Sequence, residues 1–349
     1  METKKPTVIL TGLQPSADNL HLGNYFGSLK PLVDLQNDKT VENKILYLFC
    51  ADLHTITVPT ESGKFPIAQR KNNLICTYAA AGIDLTKTRL FYQSDVPAHT
   101  SLGWVLICHS TLGELSRMTQ YKDKSNKQEK ANGTQMIPTG LLVYPPLMAA
   151  DILLYDADLV PVGKDQKQHV ELTRDLAIKF NKKYGETFNL PEYYATKETA
   201  VIYDLVSPEH KMSKSNPVKG TIFLTDSVEE ITKKITASIT DCDNKVIFDE
   251  KKLGTKLGGI SNLMIIYKLL TNMDYKDQEA KFANIKNYGE FKKEVIAEVV
   301  SFLTKFQKEY KNAQDNIESL KKQIEKNAEI CREISNKKIE DVYKKIGVK

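Results

Sequence analysis

The stretch from Val8 to Leu29, VILTGLQPSADNLHLGNYFGSL, constrains the fold more than any other part of the chain. An apolar run, Val8-Ile9-Leu10, breaks at Thr11-Gly12 and gives way to a polar segment from Gln14 to Asn19; apolar residues return at helical spacing as Tyr25, Phe26, Leu29 and Leu32. A short apolar run bounded by turn residues reads as a buried strand, and the 3.6-residue period after it reads as a helix. The unit is strand, loop, helix. Backbone N–H groups at the start of such a helix lack an intrahelical acceptor and lie at its positive end, so they suit an anion. Gly23 lets a ligand approach the backbone, and His21 and Asn24 beside it can donate hydrogen bonds to phosphate oxygens. An ordinary strand–helix unit with a solvent-facing histidine fits the same residues.

The pattern recurs along the chain. Lys44–Cys50 reads as a second buried strand with Asp52 and His54 just past its end, and residues 66–82 read as a helix with Leu74, Ile75, Tyr78 and Ala79 inward and Gly82 as its stop. Arg89–Gln93 and Leu159–Val162 read as a third and a fourth strand; the fourth ends in Gly163-Lys164-Asp165-Gln166, before a helix over 167–179. Strand–helix alternation at these separations predicts right-handed crossovers and a parallel sheet, whose ligands gather where the strands end. Residues 102–122 carry a helical pattern with Trp104, Leu106, Leu112 and Leu115 apolar, and 123–139 read as an exposed loop. A helix opening at Tyr144-Pro145-Pro146 then sets one acid, Asp151, among Leu147, Met148, Ala150, Ile152, Leu153 and Leu154. A charge in that setting needs a donor, either an Arg or backbone N–H of the fold or a ligand group such as an indole N–H. From Ser227 onward only helical periodicity remains. The expected architecture is α/β: a Rossmann-like parallel-sheet domain over 1–224 and a smaller all-helical domain over 225–349.

Composition narrows the function classes. A chain of 349 residues, 41% of them hydrophobic, suits two soluble domains. No apolar run reaches the length of a membrane span and the METKKP start lacks a signal-peptide core, so the cytoplasm is the expected compartment. Five scattered cysteines without CxxC spacing predict no metal-ligand set and no disulfide framework. The net charge of +5 permits a polyanionic partner without demanding one. In HKMSKSNP, His210 to Pro217, Lys211 and Lys214 stand three apart with Ser213 and Ser215 between and beside them. Such a loop suits a mobile clamp on a polyphosphate, although its composition alone equally suits a solvated loop.

Taken together, HLGN at His21–Asn24 and KMSKS at Lys211–Ser215 resemble the two signatures of class I aminoacyl-tRNA synthetases. TGLQPS (Thr11–Ser16), YPPLMAADILLY (Tyr144–Tyr155) and VPVGKDQKQH (Val160–His169) resemble the blocks of the bacterial-type tryptophan-specific branch, and the likeness covers nearly the whole chain. The resemblance implies roles. Gln14, Pro15, Ser16, Gly23 and Asn24 would hold ATP, with His21 and Asn24 near its phosphates; Gly163, Asp165 and the backbone of Lys164 would reach the ribose, and Ile202 the adenine. Lys211, Met212, Ser213, Lys214 and Ser215 would close over the pyrophosphate, and Lys122 would position the triphosphate beside Mg²⁺ carried on the ATP phosphates. Asp151 would accept the indole N–H; Tyr144 and Gln166 would bind the ammonium; Leu10, His54, Met148, Val160 and Val162 would wall the ring. His21, Asn24, Lys122, Lys211 and Lys214 would be the catalytic set. The implied reaction is ATP-dependent activation of L-tryptophan and transfer to tRNA(Trp) by a homodimer whose helical domain reads the anticodon. A tyrosyl enzyme or related aromatic-activating paralogue, and a non-catalytic RNA-binding or regulatory protein, remain as alternatives.

Overall fold

Residues 5–15, 20–41, 43–57, 66–132, 137–195, 201–213 and 218–349 are described by the computed structural model. Five strands form one sheet: β1 (Thr7–Leu13), β2 (Lys44–Cys50), β3 (Thr88–Tyr92), β4 (Leu159–Pro161) and β5 (Glu192–Tyr194), in the order β3-β2-β1-β4-β5. Every pairing is parallel. Helices cover both faces, so the central strands can be apolar throughout, and Ile9, Leu10, Leu48, Leu90 and Phe91 are all buried. This is the Rossmann-like sheet that the sequence predicts. The chain winds outward from β1 first to one side and then, at β4, to the other, which opens a crevice beyond the carboxyl ends of β1 and β4. β1 runs past the expected break, because Gly12 and Leu13 pair with Phe49 and Cys50, and the Thr11 hydroxyl donates to the carbonyl of Pro161 at 2.8 Å.

After β1 the chain enters α1 (Leu22–Asn24), a π turn (Tyr25–Leu29) and α2 (Lys30–Asn37); α3 (Asp52–Thr55) follows β2. The helix expected over 66–82 is α4 (Ile67–Ala81), ended by Gly82 at φ +100°, a left-handed conformation that favours glycine. The single helix expected over 102–122 is instead three: α5 (Ala98–Cys108), α6 (Leu112–Ser116) and α7 (Thr119–Asn132). Thr111 and Glu114 form a reciprocal capping box that starts α6, which interrupts the period. Trp104 and Leu112, read as apolar positions of one helix face, are 67% and 72% exposed. The loop expected over 123–139 is largely helical, since α7 continues to Asn132; residues 133–136 lie outside the described part. Nor does a helix begin at Tyr144: α8 (Thr139–Leu153) starts a turn earlier and contains Pro145 and Pro146 in its interior.

α9 (Lys167–Tyr184) follows β4, and α10 (Val228–Thr236), α11 (Gly259–Thr271), α12 (Tyr275–Lys281), α13 (Tyr288–Asp315) and α14 (Ile317–Lys345) complete the chain. On one side, Leu22, Phe26 and Tyr78 share a continuous core with Met264, Phe291 and Val295 of the helical region. On the other, Ala328, Cys331, Ile339 and Val342 of α14 pack with Tyr47, Phe91 and Leu106. The last helix thus returns to the sheet edge at β3.

Candidate active site

Beyond the ends of β2 and β3 the fold gathers polar groups around Asp151, which is fully buried on α8. Its Oδ1 accepts hydrogen bonds from His99 Nδ1 (2.6 Å) and Gln93 Nε2 (2.8 Å); its Oδ2 accepts from His54 Nε2 (2.9 Å) and the same Gln93 nitrogen (3.0 Å). Burial is the largest influence on this carboxyl and pushes its pKa up, but the hydrogen bonds and charge of His54 and His99 together outweigh it and hold the group below the usual carboxylate range. The donors are neither the Arg nor the backbone N–H anticipated from the sequence. Asp52, close to His54 in sequence, faces elsewhere: Lys71, the Ser94 N–H and the Ser94 hydroxyl hold it, tying the end of β2 to the end of β3.

A second polar group borders the first. The His54 and Tyr144 rings meet edge to face at 6.1 Å, and the Tyr144 hydroxyl lies 2.7 Å from His169 Nε2. Burial, aided by the charge of Lys124, pushes the His169 pKa down to about 4, so the imidazole is neutral near pH 7. Burial also raises the Tyr144 pKa, so the phenol donates and His169 accepts. The His169 hydrogen then sits on Nδ1, a buried atom with no partner among the described residues. Leu10 and Val160 are buried in the adjoining apolar cluster, with Met148 and Val162 half-buried against it.

Around the rim, Asp165 accepts from Gln166 Nε2 at 2.7 Å and from Gln120 Nε2 at 3.2 Å. Lys124 Nζ lies 5.4 Å above the Tyr144 ring. Gln120 and Lys124, one turn apart on α7, therefore form the face of that helix turned to the site. Lys122, singled out from the sequence, is exposed and stands off that face. Gly163 and Lys164 are exposed, and Gln166 is half-buried.

The two signature segments come together at the sheet's far side. Leu22 N–H donates to the carbonyl of Ile222 and Leu224 N–H to that of Leu20, both at 2.9 Å. His21 Nδ1 accepts from Asn24 N–H (3.3 Å) while Asn24 Oδ1 accepts from His21 N–H (3.2 Å), a capping box that engages the two side chains with each other. A Cβ on Gly23 would stand 3.1 Å from the His21 ring and 3.7 Å from Met212 Cβ, so this position is small for packing reasons as well as for ligand access. Met212 N–H donates to the carbonyl of Ile202 at 2.9 Å, and both residues are buried; the Thr221 hydroxyl donates to the carbonyl of Ser213 at 2.9 Å. Lys211 is exposed and pairs with Tyr203 through an antiparallel bridge. Gln14 and Pro15 line a small cleft with Thr77 and Tyr310. Ser16, Lys214 and Ser215 lie outside the described residues.

Residues 1–304 match the family model described as tRNA synthetases class I (W and Y). The chain belongs to this family. Among class I synthetases it is 51% identical over 342 residues to the tryptophan–tRNA ligase of Malacoplasma penetrans, covering 97% of this chain and 98% of the relative. The crystal structure of tryptophanyl-tRNA synthetase from Mycoplasma pneumoniae superposes with a TM-score of 0.83 at 38% identity, covering 98% of each chain. That of the Campylobacter jejuni enzyme complexed with ADP and tryptophan gives 0.80 at 34% identity, over 98% of this chain and 100% of that one. Sequence reasoning about this synthetase missed Gln93, His99, Gln120, Lys124 and His169. For Gln120 and Lys124 a signal existed, because a four-residue spacing on a helix puts both on one face; Gln93 and His99 carry none that is local.

Proposed function

We propose that this synthetase activates L-tryptophan with ATP and transfers it to tRNA(Trp). The observation that carries the reading is one fully buried carboxylate, Asp151, in an apolar and aromatic cluster at the ends of the strands. The indole N–H takes the position on Oδ2 held in the free chain by His54, whose ring then joins Leu10, Met148, Val160 and Val162 in walling the substrate. Phenylalanine would leave a buried acceptor without its donor, a loss that amounts to ~10⁴-fold or more in a site built around such a contact. Tyr144 and Gln166 bind the ammonium. The tryptophan carboxylate attacks the α-phosphorus of ATP in line, giving tryptophanyl-adenylate and pyrophosphate, and the acyl group passes to the terminal ribose of the tRNA.

No enzyme nucleophile is needed, so rate comes from positioning and from stabilising charge on the departing pyrophosphate. Gln14, Pro15, Ser16, Gly23 and Asn24 hold the nucleotide, with His21 and Asn24 nearest its phosphates. Gly163, Asp165 and the Lys164 backbone take the ribose and Ile202 the adenine. Lys211, Met212, Ser213, Lys214 and Ser215 close over the phosphates in an induced-fit step. On α7, Lys124 is better placed than Lys122 to meet an anion beside Tyr144. Mg²⁺ carried on the ATP oxygens would neutralise their charge.

Residues 225–349 form the anticodon-reading part. The active form is a homodimer in the cytoplasm; no described helix is long and apolar enough to cross a membrane. Exposed Trp104 and Cys108, one turn apart on α5, together with Leu112 at the start of α6, supply an apolar surface for the second subunit. Charging of total tRNA with labelled amino acid tests the reading: tryptophan incorporation is expected, and tyrosine incorporation in its place overturns it.

A further inference from the structure

An aspartate carboxylate turns about a soft torsion, so burial alone does not fix where its lone pairs point. Here Gln93 spans both oxygens and His99 holds Oδ1. His99 is fully buried, with Nδ1 2.6 Å from Asp151 Oδ1 and Nε2 2.9 Å from the Tyr155 hydroxyl. The rings of Phe49, Phe91 and Tyr155 surround the imidazole at centroid distances of 6.0, 5.8 and 5.6 Å. With both nitrogens engaged and three rings around it, the imidazole cannot turn its Nδ1–H away from the carboxylate. We propose that His99 and Tyr155 are positioning residues: they hold Asp151 in the one orientation that presents an oxygen to a side-chain N–H, and so set how strongly that N–H is selected. This rests on the reading of Asp151 as the indole acceptor.

The direction of the chain of hydrogen bonds follows from the chemistry. Nδ1 faces a carboxylate and so donates to it, while the Tyr155 hydroxyl meets the other ring nitrogen. Burial raises the Tyr155 pKa well above that of a free phenol and the Cys331 pKa to about 12, which keeps both groups protonated. Tyr155 and Cys331 of α14 lie in one buried cluster, so the final helix packs behind the hydroxyl that engages His99. His54 reaches the other oxygen from a helix of four residues and is the donor free to exchange, whereas His99 and the Gln93 amide, which spans both oxygens, stay.

ATP–pyrophosphate exchange by the full chain tests this with two substrates, L-tryptophan and 3-benzothienyl-L-alanine, which has sulfur where the indole has N–H. The readout is the ratio of their kcat/KM values, with the KM for ATP followed in parallel. Tyr155→Phe, which removes only the hydroxyl, is expected to lower the ratio about tenfold by loosening one buried hydrogen bond, with the KM for ATP unchanged. His99→Gln is expected to lower it further, and Asp151→Asn to abolish most of it. If Asp151→Asn collapses the ratio while Tyr155→Phe and His99→Gln keep the wild-type value, the positioning role fails and the Asp151 reading stands. If Asp151→Asn itself keeps the wild-type ratio, both fall. Equal losses on both substrates in Tyr155→Phe would mean a merely structural role and overturn the proposal; should His99→Gln fail to fold, Tyr155→Phe decides alone.

Discussion

Asn262 on α11 ties the helical region to the root of the KMSKS segment, and its replacement by alanine has a size that can be worked out. Its Nδ2 donates to the Tyr203 carbonyl at 2.9 Å and its Oδ1 accepts from the Tyr203 N–H at 2.8 Å, so one side chain serves both backbone groups of Tyr203, as a neighbouring strand would. On either side, the Ile202 carbonyl accepts from Met212 N–H and Asp204 N–H donates to the His210 carbonyl, both at 2.9 Å, so these bonds hold the two legs of the loop. Asn262 is 1% exposed, which leaves no water to replace it. Two net hydrogen bonds at about 1 kcal/mol each, plus partial orphaning of a buried N–H and C=O, give a loss of roughly 3 kcal/mol in Asn262→Ala. With an unfolding entropy of about 2.1 cal/mol/K per residue over 349 residues, that is a Tm lower by roughly 4 °C. If the affected loop root belongs to the phosphate clamp proposed above, exchange kinetics should show a raised KM for ATP and a lower kcat. Tryptophan affinity, titrated calorimetrically without nucleotide, should be unchanged. An unaltered Tm with an unaltered KM for ATP would refute the reasoning, as would a loss falling on tryptophan rather than on ATP.

Other consequences are open to equally direct tests. His169 has a folded pKa of about 4, below its ordinary value, so the unfolded chain binds more protons between the two and stability falls as pH drops through that window. Urea unfolding at about pH 7 and about pH 4.5 should show up to ~3 kcal/mol of this dependence, reduced in His169→Gln; an identical slope in the variant would count against it. Lys124→Ala should depress exchange at least tenfold, about the worth of one charge-assisted hydrogen bond, and Lys122→Ala much less; the reverse order would place the wrong face of α7 at the site. Trp104, the only tryptophan of the chain, should shift its emission to the blue as concentration rises through the dimer constant, and Trp104→Glu should leave a monomer by light scattering. A dimer unaffected by Trp104→Glu would move the interface elsewhere.

Much of the parallel sheet was legible because strands buried on both faces are written as continuous apolar runs. Lys44–Cys50 was read with the bounds it has, and the ends of β1, β2 and β4 were recognised as the places where polar groups collect. β5 has three residues, too few for a period, and was missed. Beyond Lys122 the sequence of α7 reads as a loop because Lys, Asn, Gln and Ser fill a solvated helix as readily as a loop. That error hid Lys124, since without the helix there is no face to assign. In α8 two prolines suggested a start rather than an interior, although Gly103 of α5 lets Leu147 pack closely beside them. Asp151 was recognised as needing donors, yet their identity depended on chain segments 52 to 97 residues away that meet only in the fold. His21 and Asn24 were read for their chemistry, whereas in the free chain their capping box is what the geometry displays.

The most direct test of the account is ATP–pyrophosphate exchange with each of the twenty amino acids supplied singly. Tryptophan should support rapid exchange, with phenylalanine ~10⁴-fold or more below it and tyrosine well below tryptophan. Exchange driven by tyrosine, or none with any amino acid in the presence of ATP and Mg²⁺, would contradict it.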